Sequence, residues 1–208
     1  MNKVVGILLA AGRSLRMGAD NKLLADVLGW PLVRYAAKAM TCSSLSKVII
    51  VTGYEAEKVA LALDDLPVQL VLNPLFTEGQ ASSVRAGMTA LDQDVTDVLI
   101  GLGDMPLISS SLLNSLIKNH IAQLGRRRAI TFPTLDGGRG NPVLWDRTFF
   151  SELSNLTGDS GGKQLLNVYE NFHNPIPFGH HEFFYDVDTK DELTSIINEL
   201  KTRNHKAH

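Results

Sequence analysis

The chain has 208 residues, and its 20 basic and 22 acidic residues give a formal net charge of −2. This balance argues against a nucleic-acid partner, because no global positive field is present to hold a phosphate backbone. No run of about eighteen apolar residues occurs, so we expect no membrane-spanning segment and no membrane partner. Cys42 is the only cysteine, which excludes an internal disulfide and fits a cytoplasmic location. The length and the ordinary composition predict one domain over residues 1–208.

Short apolar runs alternate with helical patterns from the first residues to position 135. The predicted strands are Val4–Ala10, Lys47–Gly53, Val68–Asn73, Val98–Leu102 and Ala129–Pro133. The predicted helices are Pro31–Ser43, Glu55–Leu63, Ser82–Leu91 and Ser109–Gln123. Several of the strands have the composition of strands buried on both faces, as in a parallel sheet. The alternation therefore predicts an α/β fold, a Rossmann-like three-layer α/β/α sandwich with a mostly parallel sheet.

The pattern loosens after Leu135. Two glycine-rich segments follow at 136–142 and 158–163, then a strand-like segment at Glu182–Val187 and a last helix near Lys190–Lys201. The histidines of the chain lie in helical, turn or terminal contexts, so each is expected to be structural or solvated and not catalytic.

The first predicted strand runs directly into a loop of small and basic residues, Ala10-Ala11-Gly12-Arg13, with Arg16 shortly after it. Small residues let backbone N–H groups approach an anion closely, and arginines supply charge, so polyphosphate is the natural ligand. The spacing matches neither the P-loop nor the dinucleotide fingerprint. A simple tight turn is the alternative reading. Lys22 follows where its ammonium could neutralise phosphate charge.

A carboxylate ends another predicted strand. Asp104 follows the apolar run Leu99–Leu102 and precedes Met105-Pro106, which cannot continue the strand. In parallel sheets, ligands bind outside the carboxyl ends of strands, so Asp104 and the first-strand loop should face one cleft. A carboxylate facing a phosphate-binding loop is reasonable if a cation stands between them, and Mg2+ suits carboxylate and phosphate oxygens. A helix cap is the alternative, although Asp104 lies several residues before the next helix.

Taken together, the motifs resemble those of the molybdenum cofactor cytidylyltransferases, within the wider group of sugar-nucleotide and cofactor nucleotidyltransferases. The matching segments are LLAAGRSLRMG with Lys22, GQASSVRAG at 79–87, GDMP at 103–106, GRGNPV at 138–143, GDSGGKQLL at 158–166 and DVDT at 186–189. They cover nearly the whole chain in a fixed order. The resemblance implies a nucleotide-diphospho-sugar transferase type of fold, with a nucleotide-binding half at roughly 1–107 and an acceptor-binding half at roughly 108–203.

The resemblance also implies roles for particular residues. Arg16, Lys22 and Asp104 would be catalytic, with Arg16 and Lys22 near the triphosphate. The nucleotide would be bound by Ala10, Ala11, Gly12, Arg13, Lys22, Gly79, Ser83 and Asp104. The metal ion would be held by Asp104 and Asp188, with Asp186 as an alternative to Asp188. The related guanylyltransferases have Ala-Gly-Gly in the first loop, so Ala10-Ala11-Gly12 implies CTP as the nucleotide.

For the acceptor, the implied residues are Asn141, Gly158, Asp159, Gly161, Gly162 and Lys163, with Lys163 where a cation could meet a phosphate of the pterin. Asn141 departs from the family, because many cytidylyltransferases carry histidine there. This departure leaves another phosphorylated acceptor open.

The implied reaction transfers CMP from CTP to the terminal phosphate of molybdopterin cofactor and releases pyrophosphate. Phosphate is already ionised at neutral pH, so no histidine base is needed. A transient apoenzyme or chaperone would be the partner that receives the product. Two alternatives stay open: a nucleotidyltransferase that uses GTP or another sugar, alditol or cofactor phosphate, and a protein that binds a nucleotide or NAD(P) without transfer.

Overall fold

A mostly parallel sheet runs through the centre of the fold. The computed structural model describes residues 2–14, 21–124, 129–159, 161–179 and 184–206. Within these ranges the strands are β1 (Val4–Ala10), β2 (Asp26–Val27), β3 (Trp30–Pro31), β4 (Lys47–Thr52), β5 (Gln69–Leu72), β6 (Asp97–Leu102), β7 (Ile130–Leu135), β8 (Gly138–Arg139), β9 (Val143–Asp146) and β10 (His173–Pro177).

Helices cover the sheet on both sides. They are α1 (Leu32–Thr41), α2 (Ala56–Leu61), α3 (Gln80–Thr89), α4 (Ser110–Leu124), α5 (Phe150–Ser154), α6 (Lys163–Val168) and α7 (Lys190–Lys206). In the part of the chain that the structure describes, none of these helices combines the length and hydropathy needed to cross a bilayer.

The strand order of the main sheet is β10-β7-β9-β6-β1-β4-β5, with β8 paired to β7. The strands β6, β1, β4 and β5 are mutually parallel, and β9 is antiparallel to both of its neighbours. From β1 the chain first adds β4 and β5 on one side and then β6 on the other. The strand order therefore reverses at β1 and β6, which is where open α/β sheets bind ligands.

Alternation along β1 sends neighbouring side chains to opposite faces of the sheet. Val4 and Leu8 belong to a core cluster with buried residues of α1, α2 and α4. Val5 and Ile7 belong to a second cluster with buried residues of α3, α5 and α6. Each face of the sheet thus has its own apolar layer, which confirms the predicted three-layer sandwich with a mostly parallel sheet.

A third, smaller cluster attaches α7 to the rest of the fold. Val187, just before α7, and Ile196 within it pack with Val27, Leu32 and Leu107. All five side chains are buried. The cluster brings the C-terminal part of the chain to the same end of the sheet as the residues that follow β6.

One expectation from the sequence is wrong. Residues 184–187 of the predicted strand Glu182–Val187 form no strand, and residues 182–183 lie outside the described ranges. Val187 instead packs in the third cluster. The burial of this side chain explains why the segment has the apolar residue that led to the strand prediction. The predicted strand Val68–Asn73 is present as β5, which forms an edge of the sheet with Leu70 and Leu72 exposed.

A buried polar network links β6, α4, β7 and β10. His120 Nε2 lies 3.1 Å from Asp97 Oδ1, and His120 Nδ1 lies 2.8 Å from Thr131 Oγ1. Asp97, His120 and Thr131 are all fully buried. Thr96 Oγ1 donates to Asp97 Oδ2 at 2.6 Å, and Asn174 Nδ2 donates to Thr131 Oγ1 at 3.0 Å. His120 is therefore structural, as expected, and the network fixes the amino end of β6.

We predict that Asp97→Ala lowers the free energy of unfolding by at least about 1–3 kcal/mol, because it leaves His120 and the Thr96 hydroxyl without their buried partner. Urea unfolding followed by circular dichroism measures this change. Glu57→Ala, at an exposed position of α2, is the control and should change stability little. Equal effects of the two substitutions would contradict a stabilising role for the network.

Candidate active site

Two loops meet at the carboxyl edge of the sheet, one after β1 and one after β6. The first contains Ala11 and Gly12, and the second contains Gly103 and Asp104. The Gly103 N–H donates to the Leu9 carbonyl at 3.0 Å, which holds the loops side by side. A Cβ at position 103 would lie only 3.2 Å from that carbonyl oxygen. The crevice between the loops thus has small residues on one side and a carboxylate on the other.

Lys22 lies between two carboxylates at this edge. Its Nζ is 2.7 Å from Asp104 Oδ2 and 2.7 Å from Asp188 Oδ1. The side chains of Lys22, Asp104 and Asp188 are 12%, 18% and 33% exposed, so water only partly screens these ion pairs. Charged groups at this distance form strong hydrogen bonds, and here they connect three segments that are far apart in sequence.

Local structure delivers two of these side chains to the edge. Asn21 caps a short 3-10 helix at Lys22–Leu24, and its Oδ1 accepts from the Leu23 N–H at 3.1 Å. The Val187 N–H donates to the Asp104 carbonyl at 3.0 Å. This hydrogen bond ties the segment before α7 to the end of β6.

Asp188 is fixed by the start of α7. Glu192 Oε2 accepts from the N–H groups of Asp188 and Thr189, both at 2.8 Å, and the Thr189 hydroxyl accepts from the Glu192 N–H at 3.2 Å. This reciprocal pattern, with threonine three residues before glutamate, is a capping box. The hydrogen bond from the Asp188 N–H is the main reason that the pKa of Glu192 lies below its ordinary value.

The charges at the site act on each other. Burial alone would lower the pKa of Lys22, but Asp104 and Asp188 outweigh burial and raise it above the ordinary lysine value. Asp186 is exposed as a residue, yet partial desolvation of its carboxyl raises its pKa, and the charges of Asp104 and Asp188 raise it further. The carboxylates therefore repel one another, and Lys22 is the cation that holds two of them together.

The donor set suits a hard divalent ion. Asp104 Oδ1 is buried and has no hydrogen-bond partner among the described residues, which is costly unless a cation or donor satisfies it. No group of three or more metal-ligating side chains occurs within the described ranges. Mg2+ needs no such group, because it binds through one or two carboxylates, waters and substrate phosphates. Asp104 and Asp188 fit an ion of this kind.

A first cavity, which we call the nucleotide cavity after the role expected for its residues from the sequence, opens between the β1 loop and the start of α3. Its walls include Ala11, Gly12, Lys22, Gly79, Ser83 and Asp104. Buried Asn73 donates from Nδ2 to Ser83 Oγ at 3.0 Å. This bond uses a lone pair of Ser83, so its hydroxyl hydrogen can still be donated to a ligand. An outer extension of the cavity passes Arg13, Asp159 and Asp188.

A second cavity, which we call the acceptor cavity, lies beside the first. Its walls include Gln80, Arg139, Asn141, Trp145, Gly162 and Lys163. Leu9, Gln80 and Leu102 line both cavities, so the two spaces share a wall. Two cationic side chains on its rim favour an anionic ligand.

Residues 158–159 and 161–162 pack against the start of α3, with Asp159 lining the outer extension of the nucleotide cavity and Gly162 lining the acceptor cavity. The Gly158 carbonyl accepts from the Ala81 N–H at 3.2 Å. A side chain at Gly79 would overlap Asp159 Oδ1, and one at Gly161 would overlap the Gln80 side chain. Gly79 also has a φ of +101°, which glycine adopts readily. A Cβ at Gly79 would also lie 2.9 Å from the Gly158 carbonyl oxygen, so close packing of these two segments requires glycine at position 79.

The structure brings most of the predicted site residues together, although their roles remain predictions. The cavities are lined by the predicted residues Ala11, Gly12, Arg13, Lys22, Gly79, Ser83, Asp104, Asn141, Asp159, Gly162, Lys163 and Asp188. Ala10 is buried within β1 and does not line these cavities. Gly158 and Gly161 pack against the start of α3, and neither lines these cavities as the described residues form them. Arg16 lies outside the described residues, as do His180 and His181.

Sequence reasoning missed several wall residues. Gln80 and Arg139 line the acceptor cavity, and both belong to motifs that the sequence displayed, GQASS and GRGNP. Asn73 supports Ser83 and follows β5 directly. A polar residue at the carboxyl end of a parallel strand was the available signal for Asn73.

Comparison with known proteins agrees with this geometry. Residues 6–174 match the family described as MobA-like NTP transferase domain. The chain belongs to this family. Membership confirms the resemblance noted from the motifs and makes this NTP transferase an enzyme of the nucleotidyltransferase type.

Individual relatives cover nearly the whole chain. Nicotine blue oxidoreductase of Paenarthrobacter nicotinovorans is 29% identical over 199 residues, which cover 93% of this chain and 96% of the relative. The homologue of Mycobacterium tuberculosis Rv0371c from Mycobacterium sp. strain JC1 superposes with a TM-score of 0.82 at 25% identity, covering 96% and 97% of the two chains. Rv0371c from M. tuberculosis H37Rv, solved in complex with manganese, superposes with a TM-score of 0.79 at 23% identity, covering 95% and 99%.

We predict that Gly79→Ala lowers the free energy of unfolding by about 1–3 kcal/mol more than Gly29→Ala does, because its Cβ would displace Asp159. Both glycines have positive φ, but a Cβ at Gly29 would meet no described atom within 4 Å. The control thus carries similar backbone strain without the overlap. Thermal and urea unfolding of the two variants measure the difference, and equal losses would show that the approach of Asp159 is unimportant.

Proposed function

We propose that this chain transfers CMP from CTP to the terminal phosphate of molybdopterin cofactor, giving molybdopterin cytosine dinucleotide and pyrophosphate. The observation that carries the proposal is the cluster of Lys22, Asp104 and Asp188 at the edge where the small-residue loop ends. A wall shared with a second, cation-rimmed cavity supports transfer between two bound substrates. Family membership supports the nucleotidyl transfer itself.

In the proposed reaction, a terminal phosphate oxygen of the acceptor attacks the α-phosphorus of CTP. The new O–P bond forms as the bond between the α-phosphorus and its bridging oxygen breaks, and pyrophosphate leaves with that electron pair. The nucleophile is already an anion, so the protein needs no base. Its residues contribute positioning and charge neutralisation, which are the main sources of catalysis in such transfers.

The nucleotide cavity supplies groups for each part of CTP. Backbone N–H groups of the Ala11-Gly12 loop can approach the nucleotide closely because the side chains there are small. The Ser83 hydroxyl, oriented by Asn73, is available to the base or ribose. Arg13 and Lys22 line the outer part of the cavity, where they would neutralise the departing pyrophosphate.

Asp104 and Asp188 would hold Mg2+, consistent with the buried Asp104 oxygen that has no protein partner among the described residues. When bound, this ion stabilises negative charge that develops on phosphate oxygens during transfer. A manganese complex of the related Rv0371c structure supports a divalent metal in this fold.

The two cationic side chains of the acceptor cavity support a phosphorylated acceptor. Arg139 and Lys163 can bind its phosphate, and Asn141 can hydrogen-bond to a heterocycle. Arg139 also donates from Nη2 to Asn167 Oδ1 at 2.9 Å, which orients its guanidinium. We propose that the product passes from here to a transient apoenzyme or chaperone partner.

Pyrophosphate release tests the proposal directly. The full chain is incubated with molybdopterin cofactor, Mg2+ and CTP, GTP, ATP or UTP in turn, with a chelator as control. Release with CTP that the chelator stops supports the proposal. Release with GTP would assign the protein to guanylyl transfer, and release that needs a different phosphorylated acceptor would replace molybdopterin.

We predict that Asp104→Ala reduces pyrophosphate release by at least about a hundredfold, because it removes a ligand whose charge the transition state requires. Asp94→Ala is the control, since Asp94 is an exposed carboxylate beyond the opposite end of β6 that pairs with Lys3. Unchanged turnover of Asp104→Ala, with unfolding like that of the wild type, would remove Asp104 from the site.

For the acceptor we predict that Asn141→Ala raises the KM for the acceptor by about tenfold and leaves the KM for CTP nearly unchanged, because one polar contact is lost in one cavity only. Asn141→His restores the residue common among cytidylyltransferases and should retain activity with molybdopterin. Initial rates with each substrate varied in turn measure both constants. A rise confined to CTP would place Asn141 at the nucleotide instead.

A second candidate is NAD(P)-dependent reduction without nucleotidyl transfer. It is favoured by the full-length similarity to nicotine blue oxidoreductase. A pair of carboxylates held by a lysine has no evident purpose in hydride transfer, which is why we place this candidate second. Binding of NADPH that is indifferent to Mg2+ and chelator, with no pyrophosphate released from any nucleotide, would favour it.

A further inference from the structure

Lys22 and a divalent ion would need the same two carboxylates. Lys22 Nζ lies 2.7 Å from Asp104 Oδ2 and 2.7 Å from Asp188 Oδ1, and the lysine side chain is only 12% exposed. We infer that Lys22 is an internal competitor of the metal ion, so that the ion binds tightly only when a triphosphate offers Lys22 another anion. This inference rests on the metal site of the proposed function.

The contacts of Lys22 make simultaneous occupation unfavourable. An ammonium at hydrogen-bond distance from both carboxylates holds the central position between them. A divalent cation brought to the same oxygens would be repelled by that ammonium in a partly buried space, where charges interact more strongly than in water. Asp104 Oδ1 has no hydrogen-bond partner among the described residues, but it is buried. An ion from solvent can therefore reach this oxygen only after neighbouring groups move.

Lys22 has a second place to go. It lines the nucleotide cavity and its outer extension together with Gly12 and Ser14. The lysine stem is flexible, and its ammonium binds phosphate as a point charge without a fixed geometry. A bound triphosphate can therefore accept Lys22 and release Asp104 and Asp188 to the metal ion. Metal and nucleotide binding become coupled, and by linkage each favours the other equally.

The coupling also gives Lys22 a positioning role before any substrate binds. Asp104 and Asp188 carry like charges and repel each other, because each has a carboxylate oxygen 2.7 Å from the same Lys22 Nζ. Lys22 offsets this repulsion and keeps two of the carboxylates at the spacing that an ion can use. With an uncharged residue at position 22, the two carboxylates would lack this counter-charge and would bind another cation in its place.

The test measures Mn2+ binding to the full chain by the electron paramagnetic resonance signal of free Mn2+, with and without CTP. Lys22→Met removes the charge, and Lys22→Arg retains it as the matched control. We expect Lys22→Met to bind Mn2+ alone at least about tenfold more tightly than the wild type, whereas Lys22→Arg should not gain affinity. CTP should tighten Mn2+ binding strongly in the wild type and much less in Lys22→Met.

A thermal measurement guards against misfolding of the variant. Lys22→Met and Lys22→Gln should melt below the wild type in chelator, because their carboxylates repel without a counter-charge. Mn2+ should then raise the melting temperature of both neutral variants more than that of the wild type. An equal or smaller rise, or unchanged Mn2+ affinity in Lys22→Met, would overturn the inference.

The double variant Asp104→Ala, Lys22→Met shows whether the ion binds at this place. The gain in Mn2+ affinity should disappear, and its persistence would overturn the inference because the ion would then be bound elsewhere.

The proposed reaction is tested separately from this inference. Absence of pyrophosphate release with CTP and molybdopterin would reject that function, whereas a gain in Mn2+ affinity in Lys22→Met would still support competition by Lys22.

Discussion

The ion pairs of Lys22 with Asp104 and Asp188 are the interaction on which the site depends. Three loops that are distant in sequence end at one point of the sheet, and this lysine is the charge that makes their carboxylates compatible. Removal of one partner from a partly buried ion pair leaves the other charge uncompensated. The resulting loss of stability exceeds the stability that the intact pair contributes. In the proposed function, the same arrangement would present paired carboxylates to a metal ion and a cation to a triphosphate.

The sheet makes this meeting geometrically necessary. β1 and β6 are adjacent and parallel, so the loops after them emerge at the same edge. Separate apolar layers on the two faces of the sheet hold the strands in register, and the buried network around Asp97 and His120 anchors the other end of β6. At the carboxyl edge, close approach is left to small residues. Gly79 and Gly103 lie where a Cβ would meet a carboxylate or a carbonyl oxygen.

The acceptor cavity depends on a different kind of contact. The loop before α6 is held, at its described residues 158–159 and 161–162, by a backbone hydrogen bond and glycine packing against the start of α3. It places Lys163 across a shared wall from the nucleotide cavity, with Arg139 entering from the β8 hairpin. Asp104 and Asp188 thus lie in loops, whereas strands β1, β6 and β9 and helices α3 and α6 contribute much of the wall of the acceptor cavity.

By itself, the sequence determined the strands that form the sheet's core, the small-residue loop after β1 and the carboxylate after β6, because burial pattern and turn chemistry are local properties. Tertiary structure decided what local pattern could not. It made β5 an exposed edge, turned the segment before α7 into an anchor through Val187, and chose Asp188 rather than Asp186 as the contact of Lys22. Those outcomes depend on contacts between segments that are distant in sequence. The residue pattern within one segment does not specify these contacts.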